Sequence, residues 1–126
     1  MIDYRNYNVW KLSHELVLKI YPLLNLYPKY EERNLIDQIR RAVVSIPTNI
    51  AEGCGKDTQR ELVRYLYIAS GSAHEVEYLL LLSRDLRYIR DADYYALQND
   101  IVSIKKMLAS LINKIKIAIN NESNKG

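Results

Sequence analysis

Apolar residues recur along this chain at steps of three and four, the spacing of amphipathic α-helices. In the first segment the recurring positions are Val9, Leu12, Leu16, Ile20, Leu23 and Tyr27. Pro22 falls inside this pattern and is expected to kink the helix, because it cannot donate a hydrogen bond to the carbonyl of Leu18. Pro28 then closes the segment, so we predict a first helix over residues 8–27.

The second segment begins near Glu31 and Glu32, whose negative charges suit the positive end of a helix. Its apolar face consists of Leu35, Ile39, Ala42 or Val43, Ile46 and Ile50. Pro47 leaves the Val43 carbonyl without its usual donor, and nearby polar side chains are candidates to compensate. The segment stops at Gly53-Cys54-Gly55, where a glycine is expected to adopt the left-handed conformation that ends many helices. The predicted second helix spans residues 31–52.

The third helix has the clearest start, because Thr58-Gln59-Arg60-Glu61 has the form of a capping box. One strict apolar seam consists of Leu62, Leu66, Ala69, Ala73, Val76 and Leu80. A second seam beside it consists of Tyr65, Ile68, Ser72, Glu75, Leu79, Leu82 and Leu86. One broad seam is enough in a four-helix monomer, so two seams indicate a helix, predicted over residues 58–88, that is packed on both sides.

The fourth segment predicts a helix over residues 92–120, with its stripe at Leu97, Ile101, Ile104, Leu108, Leu111 and Ile115. The polar tail from Asn121 to Gly126 is expected to fray. Four helices with short connections pack most simply as an antiparallel up-down-up-down bundle. We therefore predict an all-α fold with one domain over residues 1–126.

Composition narrows the class of protein. No apolar run approaches the roughly 20 residues that span a bilayer, and the start at Met1 lacks the apolar stretch of a signal peptide. We therefore expect a cytoplasmic protein without a membrane partner. The chain has eleven tyrosines and no phenylalanine, so many aromatic rings are expected at half-buried edges and subunit contacts. The net charge of +3 is only mildly basic.

The motifs of common active sites are missing from the sequence. His14 and His74 each precede a glutamate, but neither begins a His-Glu-x-x-His zinc motif, and neither follows a glutamate at the di-iron spacing. Cys54 lies between glycines without a histidine nearby in sequence, which is typical of an incidental loop cysteine. We expect no catalytic residue, no metal site and no cofactor.

A polar stripe accompanies the apolar face of the second helix, at Gln38, Arg41, Ser45, Thr48 and Glu52. The plain interpretation is a solvated face, although short hydrogen-bonding residues replace the usual lysines and glutamates. Glu75 lies in an apolar seam, where an unpaired carboxylate would be costly. We hypothesise that Glu75 pairs with Arg41, Arg40 or Asn49 in a buried network.

Five small residues, Ala69-Ser70-Gly71-Ser72-Ala73, occupy the middle of the third helix. Glycine costs about 1 kcal/mol against alanine at such a position. Small residues permit another backbone to approach closely, either from the same bundle or from another subunit.

Basic residues are scattered over the last two predicted helices and the turn before them. The candidate nucleic-acid contacts are Lys56, Arg60, Arg64, Arg84, Arg87, Lys105, Lys106, Lys114 and Lys116. The plain interpretation is ordinary solvation and ion pairing. Phosphate binding would require these residues to gather on one surface, which oligomerisation would achieve by repetition.

Several motifs together resemble one known family. They are Val9-Trp10 with Ser13-His14-Glu15-Leu16, Gln38-Ile39-Arg40-Arg41-Ala42, Ser45 to Gly53, and Ala69 to Glu77. Over about residues 4–118 they resemble the bacterial four-helix-bundle family encoded by intervening sequences of large-subunit (23S) ribosomal RNA genes. The resemblance implies an up-down bundle that assembles as a ring-shaped homopentamer, in a family without an established activity.

A more distant resemblance is to the accessory variability protein of diversity-generating retroelements, a pentameric barrel that binds nucleic acid and a reverse transcriptase. The positions that this resemblance implies, as structural rather than catalytic residues, are Arg40, Arg41, Asn49, Glu52, Gly71, Ser72 and Glu75. Tyrosines where phenylalanine is usual, and Pro22 in the first helix, depart from the family's pattern.

These observations favour a non-enzymatic homo-oligomeric scaffold, with nucleic acid as the leading partner class. One alternative is a protein-interaction module that docks a partner such as a polymerase or reverse transcriptase. Another is an enzyme acting at Arg41, Asn49, Glu52 and Glu75, which predicts a solvent-open pocket there instead of a buried network.

Overall fold

The computed structural model describes residues 2–125, and within them the fold is all-α. Its four helices are α1 (Asn8–Leu24), α2 (Asp37–Cys54), α3 (Gln59–Asp85) and α4 (Asp91–Lys125). Helices α1 and α3 each pack against both α2 and α4, which places α1 and α3 at opposite corners of the bundle. The predicted four-helix architecture is confirmed.

One hydrophobic core fills the centre of the bundle, to which every helix contributes fully buried side chains. Leu16, Ile46, Leu66 and Ile104 represent α1 to α4 in it. The strict seam predicted on α3 is buried along its whole length, from Leu62 to Leu80. The 4-3 repeat of apolar residues therefore identified the core side of α3 correctly.

Helix α1 ends at Leu24, three residues earlier than predicted, and Pro22 lies within its last turn. The backbone N–H groups of Asn25, Leu26 and Tyr27 bond to carbonyls three residues back, which tightens the chain into a turn. Tyr27 is nevertheless buried. Its place in the apolar pattern reflects packing of the turn and not continuation of the helix.

Helix α2 begins at Asp37, six residues later than predicted, after a 3-10 turn (Lys29–Glu31) and a π-helical turn (Glu32–Ile36). Asn34 leaves the helical conformation inside that π-helical turn, with φ −123° and ψ −107°. Beside Pro47, Thr48 Oγ1 donates to the Val44 carbonyl and Asn49 Nδ2 to the Ser45 carbonyl, both at 2.8 Å. These side chains thus bond the carbonyls one and two residues after Val43, whose own carbonyl Pro47 leaves without its helical donor.

The prediction of a left-handed glycine at the end of α2 is wrong, because Gly55 has φ −84° and ψ −3°. Gly53 serves close packing instead. A Cβ atom added to it would lie 2.9 Å from Tyr65 Cβ and 3.0 Å from Leu62 Cδ1 of α3. Cys54 is the buried last residue of α2 and not a loop cysteine.

Helix α3 begins after Thr58, whose Oγ1 accepts a hydrogen bond from the Glu61 backbone N–H at 3.1 Å, so this half of the capping box is confirmed. The Glu61 carboxylate pairs with Arg64 at 3.1 Å. At the other end the left-handed residue is Arg87, with φ 63°. The Tyr88 N–H donates to the Ser83 carbonyl at 2.9 Å, the bond of a Schellman motif.

Helix α4 continues to Lys125, so the prediction of a frayed tail is wrong for residues 121–125. Gly126, with which that predicted tail ends, and Met1, used for the leader argument, lie outside the described residues. Within residues 2–125, no helix combines the length and the apolar character needed to cross a membrane.

Candidate functional site

The polar stripe of α2 borders a groove between α2 and α3. Gln38, Arg41, Thr48 and Glu52 are exposed, whereas Ser45 is half-buried and points toward α3. The stripe is therefore a solvated face over most of its length. Only the side that touches α3 forms hydrogen bonds between helices.

A small hydroxyl network joins the two helices at this point. Ser45 Oγ and Ser72 Oγ lie 2.8 Å apart, and Asn49 Nδ2 donates to Ser45 Oγ at 2.9 Å. Ser45 accepts from Asn49 and has its own hydroxyl proton available for Ser72. This hydrogen bond fixes the axial position of α2 relative to α3, because it joins one residue of each helix.

An open pocket of about 250 Å³ lies above this network, lined by Gln38, Arg41, Ala42, Ser45, Ser72 and Glu75. The structure thus brings together Gln38, Arg41 and Ser45 of the polar stripe with Ser72 and Glu75 of the family positions. Arg40, Asn49, Glu52 and Gly71 are not part of the lining. The pocket is solvent-open, so the hypothesis of a buried network is wrong. Openness is what the enzyme alternative predicts, but only Arg41 and Glu75 of its four residues line the pocket.

Glu75 is exposed, so its carboxylate carries no cost of burial within one chain. The proposed partners are occupied elsewhere: Arg41 Nη2 pairs with Asp37 at 2.7 Å, and Arg40 Nη2 with Glu32 at 3.4 Å. Asn49 donates to Ser45. Membership of an apolar seam therefore did not predict burial, because this side of α3 has no covering helix among the described residues.

The second seam of α3 is split between core and solvent. Leu79 is buried, whereas Ile68 is 42% exposed and Leu86 is also exposed. Together with neighbouring positions it forms an outward surface that we call the α3 face: Tyr67, Ile68, Gly71, Glu75 and Tyr78. Tyr78 is 59% exposed. A Cβ atom added to Gly71 would meet no atom within 4 Å, so nothing inside this chain requires a glycine there.

A second apolar surface, absent from the predicted sites, lies on the opposite corner of the bundle. Lys11, His14, Leu18 and Tyr21 share the outward side of α1, and we call them the α1 face. Leu18 is 60% exposed. Leu18 and Tyr21 are out of phase with the core stripe of α1, and that phase difference is the signal by which the sequence reveals them.

The predicted basic residues fall into separate regions. Lys56 and Arg64 flank the ring of Tyr65, with their charged groups 5.2 and 4.7 Å from its centroid. Arg60 lies beside Lys116 of α4, where both line one small pocket. These four residues lie at the end of the bundle that carries the α2–α3 turn, where Glu61 pairs with Arg64 and where Asp57 and Glu122 line a pocket with Arg60, so carboxylates offset part of the positive charge here.

The remaining candidates lie along α4 and at the other end of the bundle. Lys106 and Lys114 border an apolar groove of about 360 Å³ between α1 and α4. Lys105 forms an ion pair with Glu77 at 2.9 Å, and Arg84 forms one with Asp85 at 3.1 Å. Arg87 lines an open pocket at the α3–α4 corner, together with two further arginines and two aspartates. The carboxylates there offset most of the positive charge.

The titratable groups give little support to covalent chemistry. Burial raises the pKa of the Cys54 thiol, so the nucleophilic thiolate is disfavoured. No group of three potential metal-ligating side chains occurs within residues 2–125. The distinctive surfaces are apolar and basic, which are the surfaces of binding and assembly.

Comparison with known proteins connects this architecture to a family. The profile of the 23S rRNA-intervening sequence proteins matches residues 5–110. The chain belongs to this family. A solved structure from the S23 ribosomal protein family of Bacteroides thetaiotaomicron VPI-5482, a protein described as having unknown function, is similar at 31% sequence identity and a TM-score of 0.75. The match covers 82% of this chain and 97% of that chain.

Membership of the 23S rRNA-intervening sequence protein family confirms the resemblance drawn from the motifs of α1, α2 and α3. A comparison with curated proteins gives no significant match. The descriptions of the family and of its solved relative name no catalytic activity.

Proposed function

We propose that this chain is a homo-oligomeric, non-enzymatic helical scaffold, a pentameric ring, whose basic surfaces contact nucleic-acid phosphates. The observation that carries the proposal is the presence of exposed large apolar side chains on opposite corners of one bundle, Leu18 and Tyr21 on α1 and Tyr67, Ile68 and Tyr78 on α3. Contact between two different surfaces of the same chain is a head-to-tail contact, which forms a ring where the rotation between successive copies closes and a filament where it does not. A monomer would leave both faces in water.

Ring formation would also concentrate positive charge. In a ring whose axis runs along the helices, the same end of every bundle faces the same opening. The cluster of Lys56, Arg60, Arg64 and Lys116 would then repeat around that opening. A chain of net charge +3 gives a pentamer of about +15, enough to attract a polyanion over a Debye length.

Light scattering tests the assembly. We expect Ile68→Glu/Tyr78→Glu to reduce the wild-type particle to a folded monomer, because the substitutions place two carboxylates in the α3 face. The control is Asn99→Glu/Ser103→Glu, which adds two carboxylates to exposed positions of α4 and should keep the wild-type mass. A monomeric wild-type chain would refute the scaffold.

Fluorescence anisotropy with single-stranded RNA and DNA over a salt series tests the nucleic-acid part. We expect affinity to fall steeply with salt and to be lost in Lys56→Glu/Arg60→Glu, because phosphate contacts release counterions. Lys106→Glu/Lys114→Glu makes the same charge change on α4 and is the matched control. Equal losses in both variants, or no binding at low salt, would contradict a basic end cluster.

A second candidate function is a protein-interaction module that docks a polymerase or reverse transcriptase. The apolar groove between α1 and α4, lined by Tyr7, Val9, Met107 and Leu111, favours it, since such a groove suits an apolar side chain of a partner. Binding of a partner protein that is insensitive to salt, and that is lost on Met107→Glu, would favour this function over phosphate contact.

A further inference from the structure

A groove with an apolar lining runs between the beginning of α1 and the middle of α4. Its apolar residues are Tyr7, Val9, Met107 and Leu111, and its volume is about 360 Å³. Val9 is buried, whereas the other three side chains are only half-buried and keep apolar surface in contact with water. Met107 has a flexible side chain that can adapt to a bound surface. Burial of a partner's apolar side chain would therefore be favourable here.

Two lysines border this groove, and no carboxylate lies among its lining residues. Lys106 and Lys114 are exposed, and the ion pairs formed within residues 2–125 include neither of them. The larger pocket at the α3–α4 corner differs, because Asp85 and Asp91 line it together with the arginines. The groove thus combines an apolar lining with positive charge that no lining residue offsets. This combination complements an occupant that is both apolar and acidic.

The spacing of these residues along α4 indicates the shape of the occupant. Met107 and Leu111 are four residues apart, so they lie one turn apart on the same side of α4. Lys106 and Lys114 lie about 12 Å apart along the helix axis. An occupant that meets both lysines carries two negative groups with apolar groups between them. A fatty acid has only one carboxylate, whereas an amphipathic helix can present apolar residues at i and i+4 between two acidic residues.

The groove has room for a helix because it is open at one end. Helix α1 begins at Asn8, which lines the groove together with Leu111, whereas α4 continues past Leu111 to Lys125. Ile117, three residues beyond Lys114 and on the same side of α4, is 51% exposed. Apolar surface therefore continues from the groove along α4.

The groove is separate from the surfaces of the proposed self-assembly. No residue that lines it belongs to the α1 face or the α3 face. A ring formed through those two faces and a monomer would therefore both offer the groove to a partner.

We propose that the groove between α1 and α4 binds an acidic amphipathic helix of a partner protein. Apolar side chains of that helix pack against Val9, Met107 and Leu111, and its carboxylates pair with Lys106 and Lys114. Apolar burial supplies most of the affinity, and the two lysines select against basic helices. This inference rests on the second candidate function, the docking of a partner protein, and specifies the chemistry of the segment that docks.

Peptide display tests the proposal. Random peptides of about 20 residues, roughly 30 Å long when helical, are selected for binding to the wild-type chain. Peptides that also bind Ser110→Trp are discarded, because the indole would fill the groove from an exposed position without disturbing the core. We expect the remaining, groove-dependent peptides to share an apolar pair at i and i+4 and to carry a net negative charge. The control Asn99→Trp, at an exposed position about 16 Å along α4, should still bind them.

Fluorescence anisotropy of one groove-dependent peptide tests the role of the lysines. Lys106→Glu/Lys114→Glu should weaken its binding roughly tenfold or more, because two attractive charge pairs become repulsive. Lys29→Glu/Arg33→Glu makes the same charge change at exposed positions of the α1–α2 connection. This control should leave the affinity within about twofold, since distant exposed charges are screened by salt. Equal losses in the two variants would overturn the pairing with Lys106 and Lys114.

The selected peptides also separate this inference from the function on which it rests. Groove-dependent peptides that are neutral or basic would overturn the acidic partner and leave docking at the groove standing. A selection that yields no groove-dependent peptide would overturn both. Single-stranded RNA that binds the wild type but not Ser110→Trp, in the absence of such peptides, would assign the groove to nucleic acid instead.

Discussion

Gly53 and Gly71 lie on adjacent helices in very different surroundings. At Gly53 an added Cβ atom would meet Tyr65 Cβ at 2.9 Å, so α2 and α3 approach each other closely there. At Gly71 an added Cβ atom would meet nothing within 4 Å. The first glycine is explained by the packing of this bundle. No contact within the single chain explains the second.

The comparison extends to the two sides of α3. Its inner side is a continuous buried seam that packs on α2 and α4, whereas its outer side exposes Tyr67, Ile68 and Tyr78 to solvent. Exposed apolar residues at helical spacing are typical of an interface, while scattered ones are ordinary. The inner side accounts for the fold, and the outer side is the surface through which we propose that the chain assembles.

The largest expected effect is that of Gly53→Ala. We expect a loss of about 2 kcal/mol in the free energy of unfolding, because overpacking costs about 3 kcal/mol and better helix propensity returns about 1 kcal/mol. Urea unfolding measures it. Gly55→Ala is the matched control, since its nearest contact would be an ordinary 3.5 Å to the Glu52 carbonyl, and an equal loss there would contradict the close-approach explanation.

Gly71→Ala should have the opposite sign in a monomer. In the monomeric Ile68→Glu/Tyr78→Glu background we expect a gain of about 1 kcal/mol, because alanine is the better helix former and the space is open. In the wild-type background the same substitution should weaken assembly. A loss of stability in the monomeric background would mean that Gly71 serves the fold of the single chain after all.

Arg87 is the converse of the two glycines, because the backbone there is left-handed and the residue is not a glycine. An L-residue in that conformation costs about 1–2 kcal/mol. We expect Arg87→Gly to raise the free energy of unfolding by nearly 1 kcal/mol, since the more flexible unfolded chain offsets part of the gain. Arg87→Ala should give no such gain, and a thermal melt that ranks the two variants equally would contradict the assignment.

The smallest effect is expected at Glu75. Glu75→Leu should change the free energy of unfolding of the monomeric background by less than about 0.5 kcal/mol, because the side chain is exposed. Ser72→Ala is the comparison within the same groove, and it should cost about 1 kcal/mol through its hydrogen bond to Ser45. A loss of several kcal/mol in the free energy of unfolding of Glu75→Leu would instead support the hypothesis that Glu75 takes part in a buried ion pair.

The sequence predicted the parts of the fold that depend on repetition. The buried seam of α3 follows from its 4-3 spacing, and the start of that helix follows from Thr58 and Glu61. Periodicity erred where the chain turns: Tyr27 is buried without being helical, and the residues before Asp37 form a π-helical turn. In both places apolar side chains pack against the core from a turn, so their spacing resembles that of a helix although the backbone is not a regular α-helix.

The candidate site was predicted less well than the fold. The stripe and Glu75 do meet at one pocket, but a pattern of apolar neighbours cannot tell a surface covered by the same chain from one left open. The left-handed Arg87 could not be predicted either, because arginine has no preference for that conformation. The polar composition after Asn120 suggested fraying, although the helix continues through those residues without packing against the core.

The central claim is that a second copy of the chain covers the space above Gly71, and the solution mass of Gly71→Leu beside the wild type tests it most directly. The leucine side chain has room within one chain, so the variant should stay folded, as circular dichroism would verify. We predict a wild-type particle of five 14.8 kDa chains, about 74 kDa, and a monomeric variant. A monomeric wild type, or a Gly71→Leu chain that keeps the wild-type mass, would contradict the account.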